Sequence, residues 1–362
     1  MTGLIDKINE LQINSSIDDD NSPMKPESTQ NTLLPIQLPS GVATLNHLGV
    51  IRVTGADAAS FLQGQLTSDV ALLGMNESRL AAFCSAKGRM QASFIIYKRH
   101  SVDAAQTTPD IYMVCSRDIL TPTLKRLSMF VMRAKAKLTD VTDEFGIYGL
   151  TGNVNHFFAI NSIAIKAINT PAIAIFNTST VIALHPALGQ NRALCITPVG
   201  DVAPIGEALA AELWHWGEVH AGIATITAPI VEAFVPQMLN YESVGGVNFK
   251  KGCYPGQEVV ARSQFRGTLK RRAFVVNIND EKNAQNVQPI VGGEIFHDSD
   301  AEQPCGTVVQ VAKNPPNDSQ TGYSAIVSMQ ISASAGGKLT LGSASGANVT
   351  LLPLPYPLLE DI

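Results

Sequence analysis

Lys-Lys-Gly-Cys-Tyr-Pro-Gly-Gln-Glu, residues 250–258, is the most informative stretch of this chain. Its composition predicts a loop, because Gly252 and Gly256 allow backbone angles that other residues avoid and Pro255 fixes one turn angle. The two lysines before Cys253 favour the thiolate, which is the form of cysteine that attacks electrophiles and binds metals. The residues alone also permit a second interpretation, a tight turn that holds a buried and inert cysteine.

Further short motifs accompany this stretch along the chain. They are Thr54-Gly55-Ala56-Asp57, Phe61-Leu62-Gln63-Gly64-Gln65-Leu66-Thr67-Ser68-Asp69-Val70, Ala86-Lys87-Gly88-Arg89, Phe234-Val235-Pro236-Gln237, Gly245-Gly246-Val247, Val259-Val260-Ala261-Arg262, Phe265-Arg266-Gly267 and Leu354-Pro355-Tyr356. Together with the nonapeptide, this set resembles the signature of the YgfZ family. That family is a folate-binding branch related to the T-protein (aminomethyltransferase) of the glycine cleavage system.

The resemblance implies an α+β fold of the T-protein type, with two ferredoxin-like α/β domains and a C-terminal β-barrel around a central pocket. The order of predicted helices and strands along the chain indicates a similar division, an α+β N-terminal portion followed by an all-β C-terminal portion. We expect a disordered polar tail at residues 1–32, folate-binding α/β domains at 33–145 and 146–265, and a barrel domain at 266–362.

Hydrophobic periodicity predicts the individual elements. The predicted helices are Ala58–Gln63 with Asp57 as its cap, Thr121–Val131, and Pro204–Val219 with Ile205 and Leu209 on its apolar side. The predicted strands are Val50–Val53, Leu80–Cys84, Arg89–Tyr97, Ile111–Cys115, Arg133–Leu138, Ala273–Ile278, Thr307–Val311, Ser324–Met329 and Val349–Leu352.

Composition narrows the class of protein. A chain of 362 residues with 45% hydrophobic residues is expected to bury a sizeable interior in more than one domain. No apolar stretch is long and uncharged enough to span a membrane. The five cysteines are too scattered for a disulfide framework or a paired-cysteine zinc site, which favours a reducing cytoplasm. The net charge of −5 argues against a generic nucleic-acid coat protein.

Positive charge is concentrated in one stretch of the sequence, residues 250–272. Between Lys250 and Arg272 there are seven basic residues and one acidic residue, Glu258. This excess indicates a surface that faces an anion, with a polyglutamyl tail or RNA as candidates. The alternative is a solvated strand edge guarded by charge.

The two tryptophans are candidates for a ligand pocket. Trp214 and Trp216 point in different directions if they lie two apart on a helix, and each ring can stack on a flat heterocycle or anchor a core. The resemblance implies that Trp214 lines the folate pocket and that Leu48 stands where some relatives carry a second aromatic ring. It also places His220 and Gln237 among the folate-binding residues.

His220 departs from the wider superfamily, in which many members carry a glutamate that binds the pterin. A neutral imidazole offers one donor and one acceptor and cannot reproduce a bidentate carboxylate contact. Either the pterin is bound differently or folate is not the main ligand. Alternatively, His220 caps the C-terminus of its helix.

A second departure concerns catalysis. Authentic aminomethyltransferases carry an aspartate pair after a G-G turn, and aligning Gly88 with that turn places Ala92 and Ser93 there. Neither side chain holds a negative charge or accepts a proton at neutral pH. We therefore expect that the chain lacks the aminomethyltransferase activity of its relatives.

Cys253 is then the candidate catalytic thiol, as a nucleophile or a redox group. One cysteine cannot hold an iron–sulfur cluster, which ordinarily needs four ligands, but it can supply one ligand. We predict no metal site, because His215 and His220 lie five residues apart without a suitably spaced acidic partner. The framework of the loop is expected to consist of Lys251, Gly252, Tyr254, Gly256, Gln257, Glu258 and Arg262, with the last two as an i,i+4 ion pair.

The resemblance implies a cytoplasmic accessory protein that binds tetrahydrofolate or another folate derivative. Its partners would be iron–sulfur enzymes, including the radical enzymes that thiomethylate tRNA, and no membrane. Two alternatives stay open. One is a folate-dependent one-carbon transferase or demethylase that uses Cys253, and the other is a protein that binds tRNA directly through the basic stretch.

Overall fold

The computed structural model describes residues 37–103, 106–152, 173–176, 178–279, 288–316 and 322–359. The predicted tail at residues 1–32 lies outside the described residues. The described residues from 37 onward form one compact unit that contains two five-stranded sheets and a closed barrel. The mixed α/β class and the C-terminal barrel predicted from the sequence are confirmed.

Sixteen strands and four α-helices are described. The strands are β1 (Gly41–Thr44), β2 (Leu48–Thr54), β3 (Ser78–Cys84), β4 (Met90–Arg99), β5 (Asp110–Ser116), β6 (Lys137–Asp140), β7 (Phe145–Gly152), β8 (Ile173–Phe176), β9 (Ser179–Ala187), β10 (Gln190–Pro198), β11 (Arg271–Ile278), β12 (Glu294–His297), β13 (Asp300–Lys313), β14 (Tyr323–Gln330), β15 (Leu339–Leu341) and β16 (Asn348–Leu352). The helices are α1 (Ala58–Gln63), α2 (Leu120–Ser128), α3 (Ala211–His220) and α4 (Gln257–Phe265). Among the described residues, no helix combines the length and the apolar character needed to cross a membrane.

The first sheet has the antiparallel strand order β3-β4-β5-β2-β6. Strand β2 buries apolar side chains on both faces, because successive side chains of a strand point to opposite sides. Ile51 and Val53 join a large core with α1 and α2. Leu48 and Val50 join a second core that is shared with the second sheet.

The second sheet has the order β1-β7-β10-β9-β8. Strand β1 precedes β2 in the chain but pairs with β7, with Val42 opposite Leu150. Ile182 and Leu194 of this sheet pack against Leu48 and Val50, and Trp214 of α3 completes that core. The packing of the two sheets therefore places α3 beside the space between them.

The barrel closes in the order β11-β14-β13-β12-β15-β16, with β11 paired to both β14 and β16. Val276 and Ile278 of β11 point into the barrel core, whereas Ala273 and Val275 join the large core of the first sheet. This alternation lets β11 join the barrel to the core of the first sheet.

Helix α3 is shorter than the sequence predicts. It begins at Ala211 and not at Pro204, and Ile205 is 86% exposed. The preceding backbone is extended along β1, where Val42 donates to the carbonyl of Glu207 at 2.8 Å and Leu209 donates to the carbonyl of Val42 at 2.9 Å. Pairing with an edge strand satisfies these backbone groups, so the apolar spacing of this segment does not produce a helix.

Two further local predictions need correction. Asp57 does not cap α1, because its Oδ2 accepts a hydrogen bond from the backbone of Lys135 at 2.7 Å. The Lys135 carbonyl in turn accepts from the Asp57 backbone at 3.1 Å. Because this turn-to-turn contact holds residue 135 away from the sheet, the strand predicted at Arg133–Leu138 begins only at Lys137.

Candidate functional site

The signature loop, residues 250–258, packs against the hairpin turn that joins β3 to β4. Gly256 adopts a left-handed conformation with φ of +79°, immediately before α4. A Cβ atom on Gly256 would lie 2.4 Å from the carbonyl oxygen of Ser85 and 2.6 Å from the backbone nitrogen of Gly88. Gly88 itself has φ of +71° and faces Val259 of α4. Two sequence motifs that lie far apart in the chain are therefore in direct backbone contact.

Lys251 anchors the loop to the end of α1. Its Nζ donates to the carbonyl of Leu66 at 2.6 Å and to the carbonyl of Gln63, and it lies 4.8 Å from the centre of the Tyr254 ring. Burial lowers the pKa of this ammonium group to about 8. The ammonium group of Lys251 thus donates two of its three hydrogen bonds to backbone carbonyls at the end of α1.

Cys253 is exposed, whereas the other four cysteines are buried and free. Burial raises the pKa of the Cys84 and Cys115 thiols to about 12, so these two thiols are inert at neutral pH. The alternative of a buried Cys253 is therefore wrong. The loop presents this thiol to solvent, beside the exposed Gly252.

The charged side chains of the loop and of the basic stretch differ in exposure, since some lie at the surface and others are buried. Glu258 and Arg262 form the predicted ion pair at 2.8 Å, and both side chains are exposed. Arg272 is buried and pairs with Glu242 at 2.6 Å. Because Lys251 and Arg272 are directed into the protein, the surface carries less positive charge than the sequence count suggests.

A cavity of about 90 Å³ lies between the two sheets, and α3 forms one of its walls. It brings together Leu48 and Trp214, which the sequence analysis predicts to share a pocket, and Ser93 lies in the same wall. The guanidinium carbon of Arg192 lies 4.4 Å from the centre of the Trp214 ring. A cation at this distance over an indole ring is attracted by its negative face.

Three buried polar atoms on this cavity have no hydrogen-bond partner among the described residues. They are Nε1 of Trp214, Nε of Arg192 and Nε2 of His185. Buried polar groups in proteins are nearly always paired, because an unpaired one costs about 1–3 kcal/mol. The residues that line the cavity thus include three whose polar atoms the protein leaves unpaired.

The charge of the cavity is set by two residues that the sequence analysis does not identify. Glu218 lines the cavity from α3, and Arg192 lines it from β10. Burial alone would raise the pKa of the Glu218 carboxyl, but the hydrogen bond from His215, the nearby His47 imidazole and the Arg192 charge hold it well below its usual range. Glu218 lies four residues after Trp214, which places both on one helix face, so this spacing was a usable signal. No local pattern indicates Arg192.

We predict a pH effect from His185. Burial, and secondarily the Arg192 charge, lowers the pKa of this imidazole to about 4 from an ordinary value of 6.5. The unfolded chain therefore binds more protons between these values, and the folded state loses stability as the pH falls from 6.5 to 4, by at most about 3 kcal/mol. His185→Gln is expected to flatten this part of the stability profile in urea titrations. If the stability of the parent and of the variant changed in parallel between pH 6.5 and 4, the lowered pKa of His185 would be contradicted.

His220 and Gln237 lie away from this cavity. Nε2 of His220 is 3.0 Å from the Ser324 hydroxyl in the barrel, and its ring contacts Trp216. The Gln237 side chain is fully buried and donates to the carbonyl of Val260 at 2.7 Å. The structure thus ties both residues to protein groups, His220 to the barrel and Gln237 to helix α4.

The predicted loss of the aspartate pair has a structural counterpart. Ala92 is buried in the first core, and the Ser93 hydroxyl accepts a hydrogen bond from the backbone of Ile226 at 2.9 Å. Among the described residues that line the cavity, the acidic side chain is Glu218 of α3. Cys253 does not line this cavity, so the thiol and the cavity are separate features of the site.

Comparison with known proteins decides the family. A tRNA-modifying protein YgfZ of Enterobacter sp. (strain 638) is 32% identical over 244 residues, covering 65% of this chain and 71% of the relative. The protein of that name in Klebsiella pneumoniae (strain 342) is 30% identical over 250 residues, covering 67% and 72%. The chain belongs to the YgfZ family. Its relative from Photorhabdus laumondii, also named tRNA-modifying protein YgfZ, is 28% identical over 343 residues, covering 93% of this chain and 98% of the relative.

The comparison of structures defines the fold of this YgfZ-family chain. The crystal structure of glycine cleavage system aminomethyltransferase T from Bartonella henselae superimposes with a TM-score of 0.56 at 16% identity, covering 89% of this chain and 87% of that protein. The T-protein-like fold predicted from the sequence is confirmed. No protein-family model matches the chain.

Proposed function

We propose that this chain is a folate-binding accessory protein of the cytoplasm that supports iron–sulfur enzymes and thereby the thiomethylation of tRNA. The cavity around Trp214 is the folate site in this proposal, and Cys253 is the functional thiol. The relatives' name, tRNA-modifying protein, supports the part that concerns tRNA. The expected absence of aminomethyltransferase activity follows from Ala92 and Ser93.

The observation that carries the folate site is the set of unpaired polar atoms on the cavity wall. Nε1 of Trp214 and Nε of Arg192 are donors without acceptors among the described residues. A reduced pterin offers carbonyl and ring-nitrogen acceptors together with a flat face that can stack on an indole. Glu218 does not replace the missing pterin-binding glutamate, because its two oxygens already face His215 and His47. This chain would thus bind the pterin through hydrogen-bond donors of the protein and not through a carboxylate.

Cys253 acts separately from the ligand in this proposal. The thiol is exposed on a loop whose backbone is locked against the hairpin at Gly88. Such a thiol is accessible to a macromolecular partner, and it can supply one ligand or one nucleophile to a client enzyme. Direct binding of tRNA is a weaker candidate, because Lys251 and Arg272 of the basic stretch are buried.

Titration with tetrahydrofolate tests the cavity. We expect saturable binding by equilibrium dialysis, and Trp214→Leu is expected to weaken it at least about tenfold, or about 1.4 kcal/mol. Trp216→Leu is the matched control, because Trp216 is also fully buried but does not line the cavity. Arg192→Met is expected to behave like Trp214→Leu. Equal affinities for both tryptophan variants would remove the folate site from this cavity.

A further inference from the structure

Three potential metal ligands converge beside the cavity. His47 lies in the turn between β1 and β2, whereas His215 and Glu218 lie three residues apart on α3. Nδ1 of His215 is 3.0 Å from Oε2 of Glu218, and Nε2 of His47 is 3.8 Å from Oε1. One ligand atom from each residue can be chosen so that all lie within 4.8 Å of one another.

A simple ion pair does not account for this arrangement. Nε2 of His47 is buried and has no hydrogen-bond partner among the described residues, and 3.8 Å to Glu218 is too long for a hydrogen bond. The two imidazole rings lie 4.4 Å apart between centroids and direct their nitrogens at the same carboxylate. A tetrahedral zinc ion with bonds of about 2.0–2.1 Å would set neighbouring ligand atoms about 3.4 Å apart. The distances of 3.0 and 3.8 Å, which run to different oxygens of Glu218, lie on either side of this value.

We propose that His47, His215 and Glu218 bind a divalent transition-metal ion. Two imidazoles and one carboxylate are a donor set that suits zinc and related first-row ions. A bound ion takes the place of the hydrogen bond between Nδ1 of His215 and Oε2 of Glu218. The spacing of His215 and His220 does not indicate this site, because His47 lies far from both in the sequence.

The site has an open side. The three residues line a cleft together with Arg117, Asp118 and Gln310. The carboxylate of Asp118 is already engaged, since Oδ1 accepts from the Ser116 hydroxyl at 2.7 Å and Oδ2 accepts from the Ala228 backbone at 2.8 Å. Asp118 is therefore not a fourth ligand, and the remaining coordination position faces the cleft, where water or an anionic group can occupy it.

Glu218 lines both this cleft and the cavity that holds Trp214. An ion bound to its carboxylate would thus lie one side chain away from the cavity. The metal site does not depend on folate, because its three donors are all protein side chains.

Zinc binding measured with the metal alone tests the proposal. We use the full chain with Cys253→Ser, so that the exposed thiol does not contribute, and a competing chromophoric chelator as the reporter. We expect one zinc ion per chain, and His47→Ala and His215→Ala are each expected to weaken binding at least tenfold. His100→Ala is the matched control, because His100 is exposed and outside the cluster.

A second measurement separates binding from misfolding. Zinc is expected to raise the thermal midpoint of the parent and of His100→Ala but not of Glu218→Gln, whereas calcium, which prefers a larger set of oxygen ligands, has no effect. Cobalt bound in place of zinc is expected to give visible absorption that disappears in His47→Ala. Unchanged zinc affinity in the double variant His47→Ala/His215→Ala, or no zinc binding by the parent, would overturn the proposal and leave the folate site untouched.

Discussion

Cys253→Ser is expected to abolish the ability of this chain to restore tRNA thiomethylation in cells that lack their own YgfZ-family protein. The reason is that Cys253 is the exposed cysteine, whereas the other four are buried. Oxygen in place of sulfur keeps the size of the side chain but removes a group that can form a thiolate near neutral pH. Mass spectrometry of tRNA nucleosides measures the loss directly.

Two controls show whether the loss is due to the Cys253 thiol: the thermal stability of the serine variant, and the removal of a different, buried cysteine. Because Cys253 is exposed, the serine variant is expected to keep its thermal midpoint within about 2 °C of the parent. Cys195→Ala, which removes a buried thiol in β10, is expected to retain full complementation. Full thiomethylation with Cys253→Ser would remove the thiol from the proposed function.

Gly256→Ala is expected to produce the largest loss of stability among single substitutions in the signature loop. The residue has φ of +79°, which costs a residue with a Cβ about 1 kcal/mol, and the Cβ would lie 2.4 Å from the Ser85 carbonyl oxygen and 2.6 Å from Gly88. These neighbours are backbone atoms and cannot rotate away. We expect the free energy of unfolding to fall by about 3 kcal/mol or more in urea titrations.

Gly252→Ala is the matched control, four residues earlier in the same loop. A Cβ on Gly252 would have no neighbour within 4 Å, and the residue is exposed. Its unfolding free energy is expected to stay within about 0.5 kcal/mol of the parent. Similar losses for the two alanine variants would show that the contact between the loop and the hairpin does not stabilise the fold.

Local sequence patterns predicted much of the architecture. Alternating apolar residues identified several strands of the first sheet and four strands of the barrel, because side chains of a strand alternate between two faces wherever the strand lies. The limits of α1 and its end at Gly64 were also correct, although Asp57 does not cap this helix. The start of α3 was not, because pairing with β1 competes for the backbone of residues 207–209.

The sequence by itself determined the family, the signature loop and the position of Cys253 in it, since these depend on residues that are neighbours in the chain. Only the tertiary structure decided what surrounds Trp214 and which histidine meets Glu218. His47 and His215 come together because the turn before β2 and helix α3 pack at the same edge of two facing sheets. Such packing depends on the sum of many long-range contacts, and no spacing within one segment encodes it.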